Sequence, residues 1–217
     1  MVRATVVLAT RSAGKQRELR ALLEDAGWGW CLLEDLGLLE DDASEAAIEC
    51  FDTFAENALA KARWFAALAP GRWVLAEDSG LCVDALGGAP GVQSKRWGGV
   101  ATETGAALDA ANIARLQAAL AAVGAEQPEA RSAAYVCAAV LISPEGKVMT
   151  AEGRTAGRIL RHAAGREGFG YDPVFYSTEL SGSFGVLPAS AKGSVSHRAR
   201  AVRAVLSVAA KNFGETG

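Results

Sequence analysis

The chain has 217 residues, half of them hydrophobic, and a formal net charge of −3 at pH 7. This length suits one or two domains, and the apolar content can bury a substantial core, which excludes an intrinsically disordered protein. The small negative charge provides no general attraction for nucleic acid or for an anionic membrane, so we predict neither as a partner. A polyanionic ligand would therefore need a local cluster of cations.

The sequence carries no membrane, secretion or zinc signal. No apolar run approaches the length of a membrane span, and the N-terminal stretch MVRATVVLAT is too short for a signal peptide. The four cysteines form no CxxC pair, and the chain contains two histidines, which argues against a zinc site. We therefore expect reduced thiols and a cytoplasmic location.

Hydrophobic periodicity predicts strands that alternate with helices. In chain order, the predicted elements are a strand over Val6–Ala9, a helix over Lys15–Ala26, a helix from Thr53 to before Pro70, a strand over Trp73–Ala76, a helix over Ala106–Val123, strands over Ser132–Ile142 and Lys147–Thr155, and a last helix over Ser196–Asn212. The start at Thr53 is a capping box with Glu56. The last two strands flank a short turn and predict an antiparallel hairpin, so we expect an α/β fold with helices around a mixed sheet.

Two stretches carry residues suited to phosphate and metal. Residues 10–15 (TRSAGK) join a predicted strand to a predicted helix, where unpaired backbone N–H groups suit phosphate and Lys15 adds a charge; the alternative is an ordinary turn with a solvated lysine. Glu77 and Asp78 follow the strand over Trp73–Ala76, at a strand end where α/β proteins often bind ligands. One divalent ion, for which we predict Mg²⁺, would satisfy both carboxylates, and a solvated turn would accommodate them equally well.

Two further stretches offer an aromatic ring and a group of cations. Phe169 lies between two glycines, and its ring either contacts a flat ligand or enters the core. Lys192, His197 and Arg198 surround the predicted start of the last helix, with Ser196 as its N-cap. Because positive charges at a helix N-terminus oppose the dipole, an anionic ligand explains them better than stability does, the alternative being a basic turn in solvent. Taken together, the four stretches suit a nucleoside triphosphate.

Five motifs in a fixed order indicate a family. LAT…GKQREL, TFAENALAKA, LAEDSGLCVDALGGAPGVQS, GFGYDPVF and KGSVSHR span the sequence, which resembles the non-canonical purine nucleoside triphosphate pyrophosphatases, also called Ham1-like proteins, over essentially its full length. The resemblance implies hydrolysis of dITP, ITP, XTP and dXTP to the monophosphate and pyrophosphate, with Mg²⁺ and generally as a homodimer. It also implies one domain over residues 1–217, in which an elongated central mixed sheet is flanked by helices and two lobes surround a substrate cleft.

The resemblance further implies roles for individual residues. Asp78 would be the general base and a metal ligand. The substrate would contact Thr10, Arg11, Ser12, Ala13, Gly14, Lys15, Ser79, Phe169, Gly170, Tyr171, Asp172, Lys192, His197 and Arg198.

Two departures from the family pattern affect these roles. Arg11 and Ser12 stand where the family commonly has Gly-Asn, which adds a charge near the expected phosphates. The spacing before Thr53 is altered, so Glu49 is our choice for the second metal carboxylate, with Glu45 and Asp52 as alternatives.

Two other functions fit the same residues. One is a pyrophosphatase for modified pyrimidine nucleotides, and the other is a regulator that binds a nucleotide without turning it over. The intact pair Glu77 and Asp78 argues against the regulator.

Overall fold

The computed structural model describes residues 4–38, 45, 48, 50–99 and 105–213. Within these residues, seven strands form one sheet in the order β2-β1-β3-β4-β5-β6-β7. Their bounds are Thr5–Leu8 (β1), Gly29–Leu32 (β2), Trp73–Val83 (β3), Ser132–Ile142 (β4), Val148–Ile159 (β5), Phe175–Ser177 (β6) and Gly182–Ser183 (β7). β1 is parallel to β2 and β3, whereas β6 is antiparallel to β5 and β7. The predicted mixed sheet is confirmed.

The helices agree with the sequence pattern except near the C-terminus. Their bounds are Ala13–Asp25 (α1), Phe54–Leu68 (α2), Gly105–Ala122 (α3), Ala189–Val195 (α4) and His197–Phe213 (α5). α4 was not predicted, because seven residues that include a glycine and two serines show no clear apolar period. Ser196, which we predicted to be an N-cap, lies directly before α5 in the extended conformation typical of an N-cap, and it also ends α4. None of the helices in the described segments is long and apolar enough to cross a membrane.

The chain divides into two compact units. The first unit contains Met1–Asp78, Cys137–Gly153 and Arg198–Gly217, and the second contains Ser79–Val136 and Arg154–His197. The prediction of one domain with two lobes around a substrate cleft stays a prediction.

The first unit buries both faces of its part of the sheet. On one face, side chains such as Leu8 and Leu75 pack with α1 and α5; on the other face, Val7 and Ala76 pack with α2. A strand buried on both faces has to be apolar at consecutive positions, which explains the continuous apolar runs that predicted β1 and the start of β3.

The second unit has a core of its own. Aromatic rings dominate it: Tyr135, Phe175 and Phe184 contact one another at centroid distances of 4.6 to 6.2 Å.

β4 and β5 are neighbours joined by the turn at residues 143–147, where the Ser143 N–H donates to the Lys147 carbonyl. A connection this short permits only antiparallel neighbours, which confirms the predicted hairpin.

Strand β3 corrects one prediction. We expected it to stop at Ala76, but it continues through Glu77 and Asp78 to Val83. Its pairing with β1 ends at Leu75, opposite Leu8. The two acids therefore lie within a strand, just beyond the end of its parallel neighbour, and two charged residues in the pattern concealed the continuation.

The capping box at Thr53 yields a stability prediction. The Thr53 side chain accepts a hydrogen bond from the Glu56 N–H, and its hydroxyl donates to the Glu56 carboxylate at 2.7 Å. We expect Thr53→Ala to lower the free energy of unfolding by about 1 kcal/mol, because an N–H of the first turn loses its acceptor. Urea denaturation measures the change. Ser207→Ala, at an exposed position inside α5, is the control; an equal loss in both variants would contradict a capping role.

Candidate active site

The alternation of side chains along β3 separates Glu77 from Asp78. Successive residues of a strand point to opposite faces. Glu77 follows the side of Leu75, where α1 and α5 pack, and Asp78 follows the side of Ala76, where α2 packs. Glu77 therefore meets side chains of α1 and α5, and Asp78 meets Asn57 of α2. Our expectation that one divalent ion would satisfy both acids stays a prediction.

Glu77 is held by two basic side chains from different helices. Lys15 Nζ, from the first turn of α1, lies 2.9 Å from Glu77 Oε1, and Arg198 Nε, from the first turn of α5, lies 3.4 Å from the same oxygen. Arg198 also forms an ion pair with Glu18. The Cys137 thiol donates to Glu77 Oε2 at 3.5 Å. With an exposure of 1%, Glu77 is a buried carboxylate that relies on these partners.

The charges in this cluster outweigh the effect of burial. Burial by itself raises the pKa of Glu77, but the charges of Arg198, Lys15 and Lys61 hold that pKa well below its ordinary value. Burial lowers the pKa of Lys15, but the charges of Glu77 and Asp78 and the hydrogen bond to Glu77 together raise it above its ordinary value. Burial and the negative charge of Glu77 both raise the pKa of the Cys137 thiol, which stays protonated and can donate. Glu77 is therefore ionised at neutral pH.

Asp78 is oriented by an asparagine that the sequence reading did not single out. Asn57 Nδ2 donates to Asp78 Oδ2 at 3.1 Å. The Asn57 amide is itself fixed by the Phe51 backbone, accepting from its N–H at 2.9 Å and donating to its carbonyl at 3.2 Å. The sequence feature that could have identified Asn57 is its amide side chain inside the apolar stripe of α2, next to the buried Ala58. A buried polar side chain in such a stripe needs a partner.

The loop before α1 is organised by its own side chains. Ser12 is the N-cap of α1, and its hydroxyl accepts from the Lys15 N–H at 3.5 Å. Thr10 Oγ1 accepts from the Ser12 N–H at 3.3 Å. Ala13 and Gly14 form the first turn of the helix. Phosphate binding at this turn stays a prediction.

Arg11 is not simply an added charge near the phosphates. Its guanidinium forms an ion pair with Glu45 at 2.8 Å and donates to the Leu38 carbonyl at 2.7 Å. Arg11 and Glu45 therefore compensate each other. This pairing engages one of the carboxylates that we considered for the metal.

Asp78 fits the chemistry of a magnesium ligand. Glu49, our choice for the second metal carboxylate, lies outside the described residues, and the alternative Asp52 is exposed. The described part of the chain contains no group of three or more His, Cys, Asp and Glu side chains that could hold a metal. Mg²⁺ does not need such a group, because it commonly takes one or two carboxylates together with substrate phosphates and water.

In the second unit, Asp172 is the centre of a separate buried cluster. Its Oδ2 accepts from Lys192 Nζ at 2.5 Å and from the Phe169 N–H at 3.0 Å, and its Oδ1 accepts from the Tyr135 hydroxyl at 3.3 Å. Lys192 Nζ also lies 4.9 Å from the centroid of the Phe169 ring. The turn that carries Phe169 is thus tied to a buried ion pair.

Each of the three basic residues near the C-terminus has a partner within the protein. Lys192 pairs with Asp172, the His197 ring stacks on Tyr135 with centroids 4.6 Å apart, and Arg198 pairs with acids of the first unit. Carboxylates of the protein, and not only an anionic ligand, therefore account for the charges of Lys192 and Arg198. Ser79, the remaining predicted contact, lies half-buried within β3.

The buried charge of Glu77 generates a prediction about stability and pH. We expect Glu77→Gln to lower the free energy of unfolding at pH 7 by about 3–5 kcal/mol, because the buried basic side chains lose their counter-charge. The folded pKa of Glu77 lies below that of an unfolded glutamate, roughly 4.3. Its stabilisation is therefore present above that pH and is lost as the pH falls towards the folded pKa.

Urea denaturation of both proteins at a series of pH values measures this effect. The difference between wild type and variant should be full at pH 7 and should shrink once the pH drops below roughly 4. Glu129→Gln, at an exposed position, is the matched control. A difference that is small or independent of pH would contradict the ionised, paired state of Glu77.

Comparison with known proteins gives a consistent result. The model of the Ham1 family matches residues 6–208. Relatives include a protein named dITP/XTP pyrophosphatase from Streptomyces coelicolor, which is 42% identical over 96% of this chain and 98% of the relative. A protein of the same name from Geobacter sulfurreducens is 44% identical over 91% of this chain and 92% of the relative.

Solved structures show the same likeness. A HAM1 protein from Coxiella burnetii has a TM-score of 0.78 and 30% identity, covering 96% of this chain and all of that one. A nucleoside-triphosphatase, or dITP/XTP pyrophosphatase, from Mycobacterium abscessus has a TM-score of 0.68 and 38% identity; the match covers 94% of this chain and 98% of that one. Since the family match spans almost the whole sequence and the fold agrees, the chain belongs to the Ham1 family.

Proposed function

We propose that this protein hydrolyses non-canonical purine nucleoside triphosphates, dITP, ITP, XTP and dXTP, to the nucleoside monophosphate and pyrophosphate. Its relatives are named for the dITP/XTP reaction. The observation that carries the proposal is the placement of Asp78, a nearly buried carboxylate oriented by Asn57 and adjacent in the chain to the Glu77 ion pairs. This arrangement joins a proton acceptor to basic groups suited to a polyanion.

In the proposed reaction, Asp78 accepts a proton from water while the water oxygen attacks the α-phosphorus. The new bond joins that oxygen to phosphorus, and the bond from the α-phosphorus to the bridging oxygen breaks, so pyrophosphate leaves with the bonding electrons. A carboxylate is a weak base, and orientation by Asn57 favours the productive geometry. Asp78 and Glu49 would hold Mg²⁺, which, when bound, polarises phosphate oxygens and acidifies water.

Residues 10–15 are the proposed contacts of the triphosphate. α1 has 13 residues, so the N–H groups and positive dipole of its first turn suit an anion. Lys15 adds a cation whose ammonium is already placed by Glu77, and a placed side chain loses less entropy when it binds. The remaining proposed nucleotide contacts are Ser79, Phe169, Gly170, Tyr171, Asp172, Lys192, His197 and Arg198.

The proposed function is tested by the products and by the substrate range. With Mg²⁺, we expect dITP and XTP to give the monophosphate and pyrophosphate, and removal of the metal with EDTA to stop the reaction because phosphate charge is no longer neutralised. Ion-exchange chromatography identifies the products. A diphosphate as first product, or a preference for dUTP or modified pyrimidines, would contradict the proposal. Sedimentation would test the homodimer that the family resemblance implies.

The role of Asp78 has its own prediction. We expect Asp78→Asn to lower kcat by about 10²–10⁴-fold, because an amide cannot accept the proton of the attacking water. Steady-state pyrophosphate release measures the loss, and circular dichroism checks the fold. Asp25→Asn, at the exposed end of α1, is the matched control and should stay active. Near-normal turnover in a folded Asp78→Asn protein would rule out this residue as the base.

A further inference from the structure

The turn formed by residues 169–172 has a hydrogen bond at each of its residues. The Phe169 N–H donates to the Asp172 side chain at 3.0 Å, and the Phe169 carbonyl accepts from the Asp172 N–H at 3.3 Å. The Tyr171 hydroxyl donates to the Ser94 carbonyl at 2.8 Å. Burial and the charge of Asp109 raise the pKa of Tyr171, so its hydroxyl stays a neutral donor.

The partner of Gly170 comes from a distant helix. The Gly170 N–H donates to Asp109 Oδ2 at 2.8 Å, across 61 positions of the sequence. Gly170 has a φ of 63°, a left-handed conformation that glycine adopts without steric cost. Glycine also permits other conformations, so the peptide between Phe169 and Gly170 needs an external bond to keep one orientation.

Asp109 lies on a helix face that fixes a second loop as well. Asn112, three residues further along α3 and therefore on the same face, accepts from the Gly98 N–H at 2.5 Å and donates to the Lys95 carbonyl at 3.1 Å. The start of α3 thus anchors residues 95–98 through Asn112 and residues 169–172 through Asp109. The second anchor connects α3 to the turn that carries Phe169.

We propose that Asp109 is a positioning residue for nucleobase selectivity, acting through the Gly170 peptide. The inference rests on the proposed function and adds a residue outside the motifs that indicated it. With Asp109 present, both ends of the peptide between Phe169 and Gly170 are paired within the protein. Such a peptide offers no spare N–H donor to a base, and it holds Phe169 in one position beside Lys192.

Loss of the Asp109 carboxylate would leave the Gly170 N–H without this acceptor. Because glycine permits several conformations, a turn without this bond could move, and Phe169 would no longer be held in one position. Selectivity is a difference between affinities, and a turn that can adjust to the 2-amino group of guanine reduces that difference. The affinity for guanine, the base that should be rejected, would rise most.

The experiment compares Asp109→Ala with Asp109→Asn, which keeps an acceptor oxygen at the same place. For Asp109→Ala, we expect the ratio of kcat/KM for dITP over dGTP to fall about 10-fold, the size of one lost charge-assisted hydrogen bond. KM for dITP should rise while its kcat changes little, because Asp109 does not act on the reacting atoms. Asp109→Asn should retain most of the selectivity, and Glu129→Ala, at an exposed position, is the control.

The outcomes separate this inference from the proposed function. Failure of the wild type to release pyrophosphate from dITP or XTP would overturn the proposed function. Amide hydrogen exchange at Gly170, which needs no turnover, would still test the anchor, with exchange faster in Asp109→Ala than in Asp109→Asn. Equal selectivity in wild type and Asp109→Ala, equal losses in both variants, or unchanged exchange would overturn the inference. If Asp109→Ala does not fold, Asp109→Glu displaces the carboxylate and should lower the same ratio.

Discussion

The buried carboxylate of Glu77 is the interaction on which the first unit depends. An ionised side chain inside a core costs several kcal/mol unless charges and hydrogen bonds compensate it. Lys15 from α1, Arg198 from α5 and the Cys137 thiol from β4 provide that compensation. One negative charge therefore holds together the beginning of two helices and two strands. The N-terminus of α1, which is suited to phosphate, is placed by the same contact.

The position of Asp78 follows from the position of Glu77. Since neighbouring side chains in a strand point to opposite faces, a glutamate committed to one face leaves the next residue on the other. There Asp78 meets Asn57, whose amide is held by the backbone of Phe51. Two adjacent acids thus have different tasks: Glu77 organises basic side chains, and Asp78 is the proposed base. Chemistry at Asp78 therefore benefits from the rigidity of a strand buried on both faces.

The second unit uses the same physical device around a different acid. Asp172 is buried, is paired with Lys192 and accepts the N–H of Phe169. As with Glu77 and Lys15, the ion pair is adjacent to residues that we propose contact the nucleotide. Pairing a lysine with a buried acid places its charge before any ligand binds, which lowers the entropic cost of recognition. Asp109 adds a hydrogen bond to the Gly170 peptide. In each unit, side chains of that unit therefore hold its proposed nucleotide contacts in place.

Sequence alone determined the elements whose signals are local. Apolar periodicity and the Thr53 capping box depend on residues within a few positions of one another, so they located most strands and helices, and the order of five motifs indicated the family. Tertiary structure decided which charges meet. The continuation of β3 through Glu77, the pairing of Arg11 with Glu45, and the roles of Asn57 and Asp109 all depend on contacts between residues far apart in the chain. Electrostatic and hydrogen-bonding partners act over distances of a few ångströms in space, and no local pattern of residue types specifies which distant group will occupy that space.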